Sequence, residues 1–332
     1  MLEAQPLPRA LRWPLMLLPF ALWGTAMAAM RPLLPDGSPL LVASLRLLPA
    51  GLLLLLASLV LRRPQAVAPA DWPWLLLFAL VDGALFQGLL THGLPRTGAG
   101  LGSVLIDSQP LLVALLARTL FQEAINPVGW LGMLLGLAGI LCLGLPPAVL
   151  QHWWLQGPAV LDSHAWSHGE LWMLAAAAAM AVGTVLCRYA TRASDPLVVT
   201  GWHMLIGGTP LLLGAALAPL LDPSAPPLLP HWSAVQWGLM AYSAVFGSAV
   251  AYGLFFWFAS QGDLTGFTAL TFLTPVFAVF SALLWLGERL APLQWLGVGL
   301  ALASVVLVHQ RQPLWQGRWD AAARSEPVPP SP

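Results

Sequence analysis

The chain has 332 residues, 58% hydrophobic and only 8% charged, with fourteen basic and fourteen acidic side chains and no net charge. A soluble domain carries about 25% charged residues, so this chain cannot cover a water-facing surface. Its charge balance draws in neither nucleic acid nor an acidic partner. Apolar runs of about 20 residues, the length that crosses roughly 30 Å of hydrocarbon, follow one another along the sequence. Punctuation by Arg, Pro and Asp places ten spans at 13–30, 38–61, 72–94, 98–120, 127–147, 170–190, 197–219, 232–258, 264–286 and 290–309.

In chain order, the first span is too long for a signal-peptide core and is read as retained; it carries Trp23. The second holds Arg46, the third Asp82, Gln87 and His92, and the fourth Asp107. A segment at 148–169 with three His and three Trp residues separates the fifth span from the sixth. Its spacing matches no metal site, and interfacial tryptophans explain it. His203 lies in the seventh span, and Tyr252 and Trp257 in the eighth. Cys142 and Cys187 fall inside apolar runs and read as packing thiols. The tail at 310–332 is rich in Pro and Ala and is expected to be disordered.

The basic residues, all arginine, orient the bundle. With both termini cytoplasmic, ten arginines (9, 12, 62, 63, 118, 188, 192, 311, 318 and 324) lie inside, three (31, 96 and 289) lie outside, and Arg46 lies within a span. That bias follows the positive-inside rule and requires an even number of spans.

A shift of 165 residues aligns the two halves. Between positions 105 and 138 it gives eleven identities, among them Pro110 with Pro275, Glu123 with Glu288, Pro127 with Pro292, Trp130 with Trp295 and Gly132 with Gly297. Upstream the register drifts, and Val42–Arg46 faces Val199–His203. Five spans per half force the second half to enter from the opposite side. The expected fold is therefore all-α and integral to the membrane, ten transmembrane helices as two five-helix inverted repeats, an arrangement characteristic of secondary transporters.

The ordered set of residues resembles the drug/metabolite transporter superfamily, specifically proteins with two EamA-type domains. Leu22-Trp23-Gly24, Arg46, Pro110 and Glu123 carry the likeness in the first half, and Pro275 and Leu286-Gly287-Glu288 in the second. The first half reads Phe121-Gln122-Glu123 where the usual pattern is Leu-Gly-Glu. The resemblance implies domains at 13–147 and 170–309 around a central cavity, in a bacterial inner membrane. It implies export or exchange of small organic metabolites by alternating access, without ATP. No Gly-Lys phosphate loop is present, and there is no lysine to build one. No cofactor or metal is expected. The partners are a small-molecule solute and membrane lipids, with a proton as candidate coupling ion; monomer and homodimer both stay open. The alternatives are a membrane-embedded enzyme or lipid flippase, for which no nucleophile or metal motif is found, and a structural subunit, which needs no buried charge.

Charges inside spans are costly and mark candidate sites. Arg46 is expected either to hold a solute carboxylate or to neutralise an aspartate. Asp107 lies on a small, polar helix face with Gly100, Ser103, Pro110 and Ala114; it serves the solute or pairs with Arg46. Asp82 sits between Phe78 and Phe86. His203 could relay a proton or simply pack. Gln87 faces Tyr252 across the repeat, as His92 faces Trp257. Trp23, Trp202 and Trp257 are candidate aromatic walls, and Glu123 and Glu288 are candidate loop anchors. Arg46, Asp82 and Asp107 sum to minus one. A proton on Asp107, a cationic or zwitterionic solute, or cavity water is needed to balance that sum.

Overall fold

The computed structural model describes residues 9–97, 99–144, 168–221, 226, 228–286 and 291–316. Among them all regular structure is helical. Ten helical units follow one another: α1 Arg9–Met30, α2 Pro39–Val60, α3 Trp72–Gly93, α4 in two segments (Ala99–Asp107 and Gln109–Leu120), α5 Pro127–Gly144, α6 His168–Ala190, α7 Pro196–Leu221, α8 Ala234–Ala259, α9 Leu264–Leu286 and α10 Pro292–His309. Nine of these are long and apolar enough to cross a membrane. Most of the 148–169 segment, Glu288 and the tail beyond residue 316 lie outside the described residues.

The fourth and ninth spans differ from the continuous helices expected. α4 breaks at Ser108, and α9 passes through a 3-10 turn at Ala269–Leu273 before resuming at Thr274–Leu286. The breaks are 165 residues apart and each precedes a repeat proline. Pro110 and Pro275 have no N–H for the carbonyl four residues back, and their rings crowd the preceding turn. The eighth and third helices share a second irregularity. α3 opens into a π-helical turn over Ala79–Phe86 and α8 into another over Val245–Val250, again about one repeat apart.

Glycine contacts reveal the symmetry. A Cβ on Gly139 of α5 would lie 2.8 Å from the Ala301 nitrogen and 3.0 Å from the Gly297 carbonyl of α10. Shifted by one repeat, these contacts become Ser304 against Gly136 and Gly132, which are also observed at 2.6 and 3.2 Å. As the residue number rises on α5 it falls on α10, so the two helices are antiparallel. A two-fold axis that exchanges antiparallel neighbours is perpendicular to them and lies in the membrane plane. α2 and α7 obey the same rule: Gly51 meets Leu205, and Gly208 meets Leu48. These repeat-related pairs, α5 with α10 and α2 with α7, form the most extensive helix contacts. The small face of Gly132 and Gly136 is thus spent inside the chain, where it lets backbones approach closely. Around this axis α1 packs on α8 and α9, as α6 packs on α3 and α4.

Candidate functional site

Both helix breaks open onto one cavity between the halves. Its polar lining comprises Trp23 of α1, Arg46 of α2, Asp107 and Gln109 at the break of α4, Tyr252 of α8, and Thr271 and Thr274 at the break of α9. Ile106 and Thr271, whose carbonyls lose their helical donor to Pro110 and Pro275, also line it.

Arg46 is 3% exposed and forms the charged wall. Its Nη1 donates to Met30 Sδ at 2.9 Å and to Gln87 Oε1 at 3.5 Å. Gln87 in turn donates from Nε2 to the Tyr252 hydroxyl at 2.9 Å. Gln87 and Tyr252 are exact repeat mates, 165 residues apart, so their hydrogen bond lies on the two-fold axis. Trp23 packs on Tyr252 and Phe255, each at 4.9 Å between ring centroids. The four ion pairs among the described residues do not include Arg46. Five cavity residues hold buried polar atoms with no hydrogen-bond partner among the described residues: Trp23 Nε1, Arg46 Nε, Gln109 Oε1, Thr271 Oγ1 and Thr274 Oγ1. Buried polar groups in native proteins are nearly always satisfied, and a concave site with a few convergent polar groups is how small solutes are held.

The structure distributes the residues singled out by sequence as follows. Arg46, Asp107, Tyr252 and Trp23 line the cavity, and Gln87 lies one layer behind, orienting two of them. Asp82 and His203 are buried against each other outside the lining, with His203 Nε2 3.0 Å from Asp82 Oδ2. His92 stacks on Trp172 at 5.5 Å, with Nδ1 2.9 Å from the Gly88 carbonyl. Trp257 is half-buried against Phe258, and Trp202 is partly exposed near Trp72. Three polar lining residues went unremarked: Gln109, Thr271 and Thr274. The available signal was a polar residue immediately before each repeat proline, Gln109-Pro110 and Thr274-Pro275.

On the face where α1 begins, here the near face, the cavity is closed. Phe20, Phe255 and Phe267 pack together with centroids 5.3–6.0 Å apart. Beneath them Glu123 accepts from Leu264 N, Thr265 N and Thr265 Oγ1 at 2.9, 3.0 and 2.7 Å, and from Arg188 Nη1 at 3.3 Å. Arg188 also donates to the Ala259 and Gly262 carbonyls. Arg311 grips Asp263 through both terminal nitrogens at 2.8 and 2.9 Å. Burial pushes the Asp263 carboxyl up, but the Arg311 guanidinium and the Gly266 N–H outweigh it and hold the group below the usual carboxylate range.

Residues 13–145 and 167–310 each match the EamA-like transporter family. A Synechocystis sp. protein named an uncharacterized transporter is 53% identical over 299 residues, covering 89% of each chain. A chloroplastic WAT1-related protein of Arabidopsis thaliana is 44% identical, covering 90% of this chain and 69% of its own length. A Streptantibioticus cattleyicolor protein carrying the name "Probable terminal-alkyne amino-acid exporter" is 27% identical, over 75% of this chain and 76% of its own. A solved crystal structure superposes with a TM-score of 0.67 at 20% identity, over 90% of this chain and 96% of the other, and shows the same fold.

Proposed function

The chain belongs to the EamA-like transporter family, a multi-pass membrane transporter rather than an enzyme, and on that premise we propose that it is a secondary transporter carrying a small carboxylate-bearing solute by alternating access. The observation that carries this reading is the cavity at the paired helix breaks, with a buried guanidinium on its wall and five unpartnered polar atoms around it. Arg46 offers a fork of donors suited to a carboxylate, and Trp23 and Tyr252 offer apolar faces with polar edges. The name of the Streptantibioticus relative, an amino-acid exporter, agrees with that chemistry and supports outward transport or exchange. Each half, 13–147 and 170–309, acts as one rocking unit, with the 148–169 segment joining them.

Reconstituted counterflow tests the reading. Vesicles loaded with unlabelled alanine, glutamate or lactate should take up the matching radiolabelled solute with saturable kinetics for at least one of the three. Correctly inserted protein that exchanges none of them removes the carboxylate assignment.

The same reading places both termini on the cytoplasmic side of the cell membrane, from the ten-to-three division of arginines. A fluorescent reporter that matures only in the cytoplasm should glow when fused after residue 332. Activity of a periplasm-dependent reporter at that position instead would invert the orientation.

A further inference from the structure

We propose that Asp82 and His203 together form a proton site, set apart from the solute cavity, that couples transport to the pH gradient. The inference rests on the transporter reading and adds to it a second site, on different residues.

The site is built by close backbone approach. α3 widens into its π-helical turn around Asp82, a feature that recurs at functional positions in helices. On either side, glycines let the neighbours in. A Cβ on Gly207 of α7 would stand 2.5 Å from the Gly83 Cα, and one on Gly183 of α6 would stand 2.5 Å from the Asp82 Cβ. The carboxylate is thereby wedged between three helices with no surface exposure, and His203 is equally buried. The imidazole lies flat on Phe78, 3.8 Å between centroids and 12° between planes, with Phe256 edge-on at 5.5 Å. Its Nε2 faces Asp82 Oδ2 at 3.0 Å. Among the described residues neither Asp82 Oδ1 nor His203 Nδ1 has a hydrogen-bond partner.

Charge balance says what the pair does. With one proton shared between carboxylate and imidazole the pair is neutral; without it a net negative charge stands deep in the membrane, which is costly. Summed formally over Arg46, Asp107, Asp82 and His203, one proton on the Asp82–His203 pair brings the charge of the four groups to zero. The proton belongs to the pair rather than to either residue. The other titratable groups facing the site are the Cys187 thiol on α6 and the Tyr252 hydroxyl on α8, both within electrostatic reach of Asp82. Arg46 on α2 acts on Tyr252, and Tyr252 bonds Gln87 at the cavity wall. Neither Asp82 nor His203 lines that wall. The pair sits where α3 slides on α6 and α7, so rocking of the halves alters its access to water. One proton enters from one side and leaves to the other as the halves exchange position, and neither residue touches the solute.

Proteoliposomes separate the two sites. The probes are radiolabelled alanine, glutamate and lactate, assayed for counterflow at equal pH and for accumulation under an imposed pH gradient. Wild type should show both. Asp82→Asn and His203→Gln should keep counterflow near the wild-type rate, while gradient-driven accumulation falls to the level seen with no gradient. A correctly folded Asp82→Asn protein that still accumulates solute overturns the assignment, and so does loss of counterflow along with accumulation, which marks a structural pair. Should both variants fail to insert, wild type decides through a trapped pH dye: solute movement without proton movement overturns the proposal and leaves the transporter reading standing. Absence of counterflow in wild type strikes at that reading instead.

Discussion

Arg46→Ala reduces counterflow of a carboxylate solute by roughly ten- to a hundredfold, since a charge-assisted hydrogen bond to a carboxylate is worth about 1.5–3 kcal/mol. The loss falls on solute affinity, because the guanidinium contributes to holding the solute in either orientation of the halves. Folding is spared more than burial alone suggests. Removing one partner of a buried ion pair leaves an uncompensated charge, but Arg46 takes part in none of the ion pairs among the described residues. Its removal leaves Gln87 Oε1 and Met30 Sδ without one weak donor each. Arg46→Lys should recover only part of the affinity, because an ammonium lacks the fork that holds two carboxylate oxygens. Half-saturation in the counterflow assay, alongside gel-filtration profiles of the purified variants, checks this. A monodisperse Arg46→Ala protein with wild-type half-saturation shows that the guanidinium does not meet the solute.

The fold was legible because its evidence is one-dimensional. Span length, arginine placement and a gapless register from Pro110 to Gly132 against Pro275 to Gly297 each follow from counting. An odd number of spans per repeat then fixes the inversion. The helix breaks were legible only in part: Pro110 and Pro275 were visible, but prolines also lie within α1, α2 and α7 without interrupting them. Nothing local distinguishes Pro49, inside α2, from Pro110. The cavity residues divide the same way. A lone charge in an apolar run flags itself, which is why Arg46 and Asp107 were found. Asp82 and His203 were found by the same signal but as separate candidates, because contact between the third and seventh spans depends on Gly83 and Gly207 meeting in space. Gln87 and Tyr252 were paired by repeat register, and only the two-fold axis turns that pairing into a hydrogen bond. Thr271 and Thr274 carry no charge and resemble any hydroxyl in a helix, so they stayed hidden.

Glu123→Ala releases the near face and exposes the cavity to it. Glu123 ties the loop after α4 to the first turn of α9 and to the end of α6 through one carboxylate, which accepts two backbone N–H groups, the Thr265 hydroxyl and Arg188. An anion at a helix N-terminus is favoured by the free N–H groups and the helix dipole together. Opening the near face must break these contacts and separate the aromatic plug of Phe20, Phe255 and Phe267. Losing the carboxylate shifts the balance by at least about 2 kcal/mol, or roughly thirtyfold in the population open to the near face. The companion pair, Asp263 with Arg311, sets the pH limit of this closure. Because the folded Asp263 carboxyl lies below its ordinary value near 3.9, its contribution is complete above that value and is lost only as pH falls through the lower folded one. Closure at neutral pH therefore stays intact, and with the Asp263 side chain half exposed the pair adds little. The measurement is thiol labelling of Thr271→Cys on the cavity wall, with Cys142 and Cys187 replaced by alanine and an impermeant reagent applied from the near face in oriented vesicles. Labelling in the Glu123→Ala background should rise by more than tenfold, while Asp263→Asn at pH 7 should change it far less. Equal labelling with and without Glu123 shows that the aromatic plug alone keeps the near face shut.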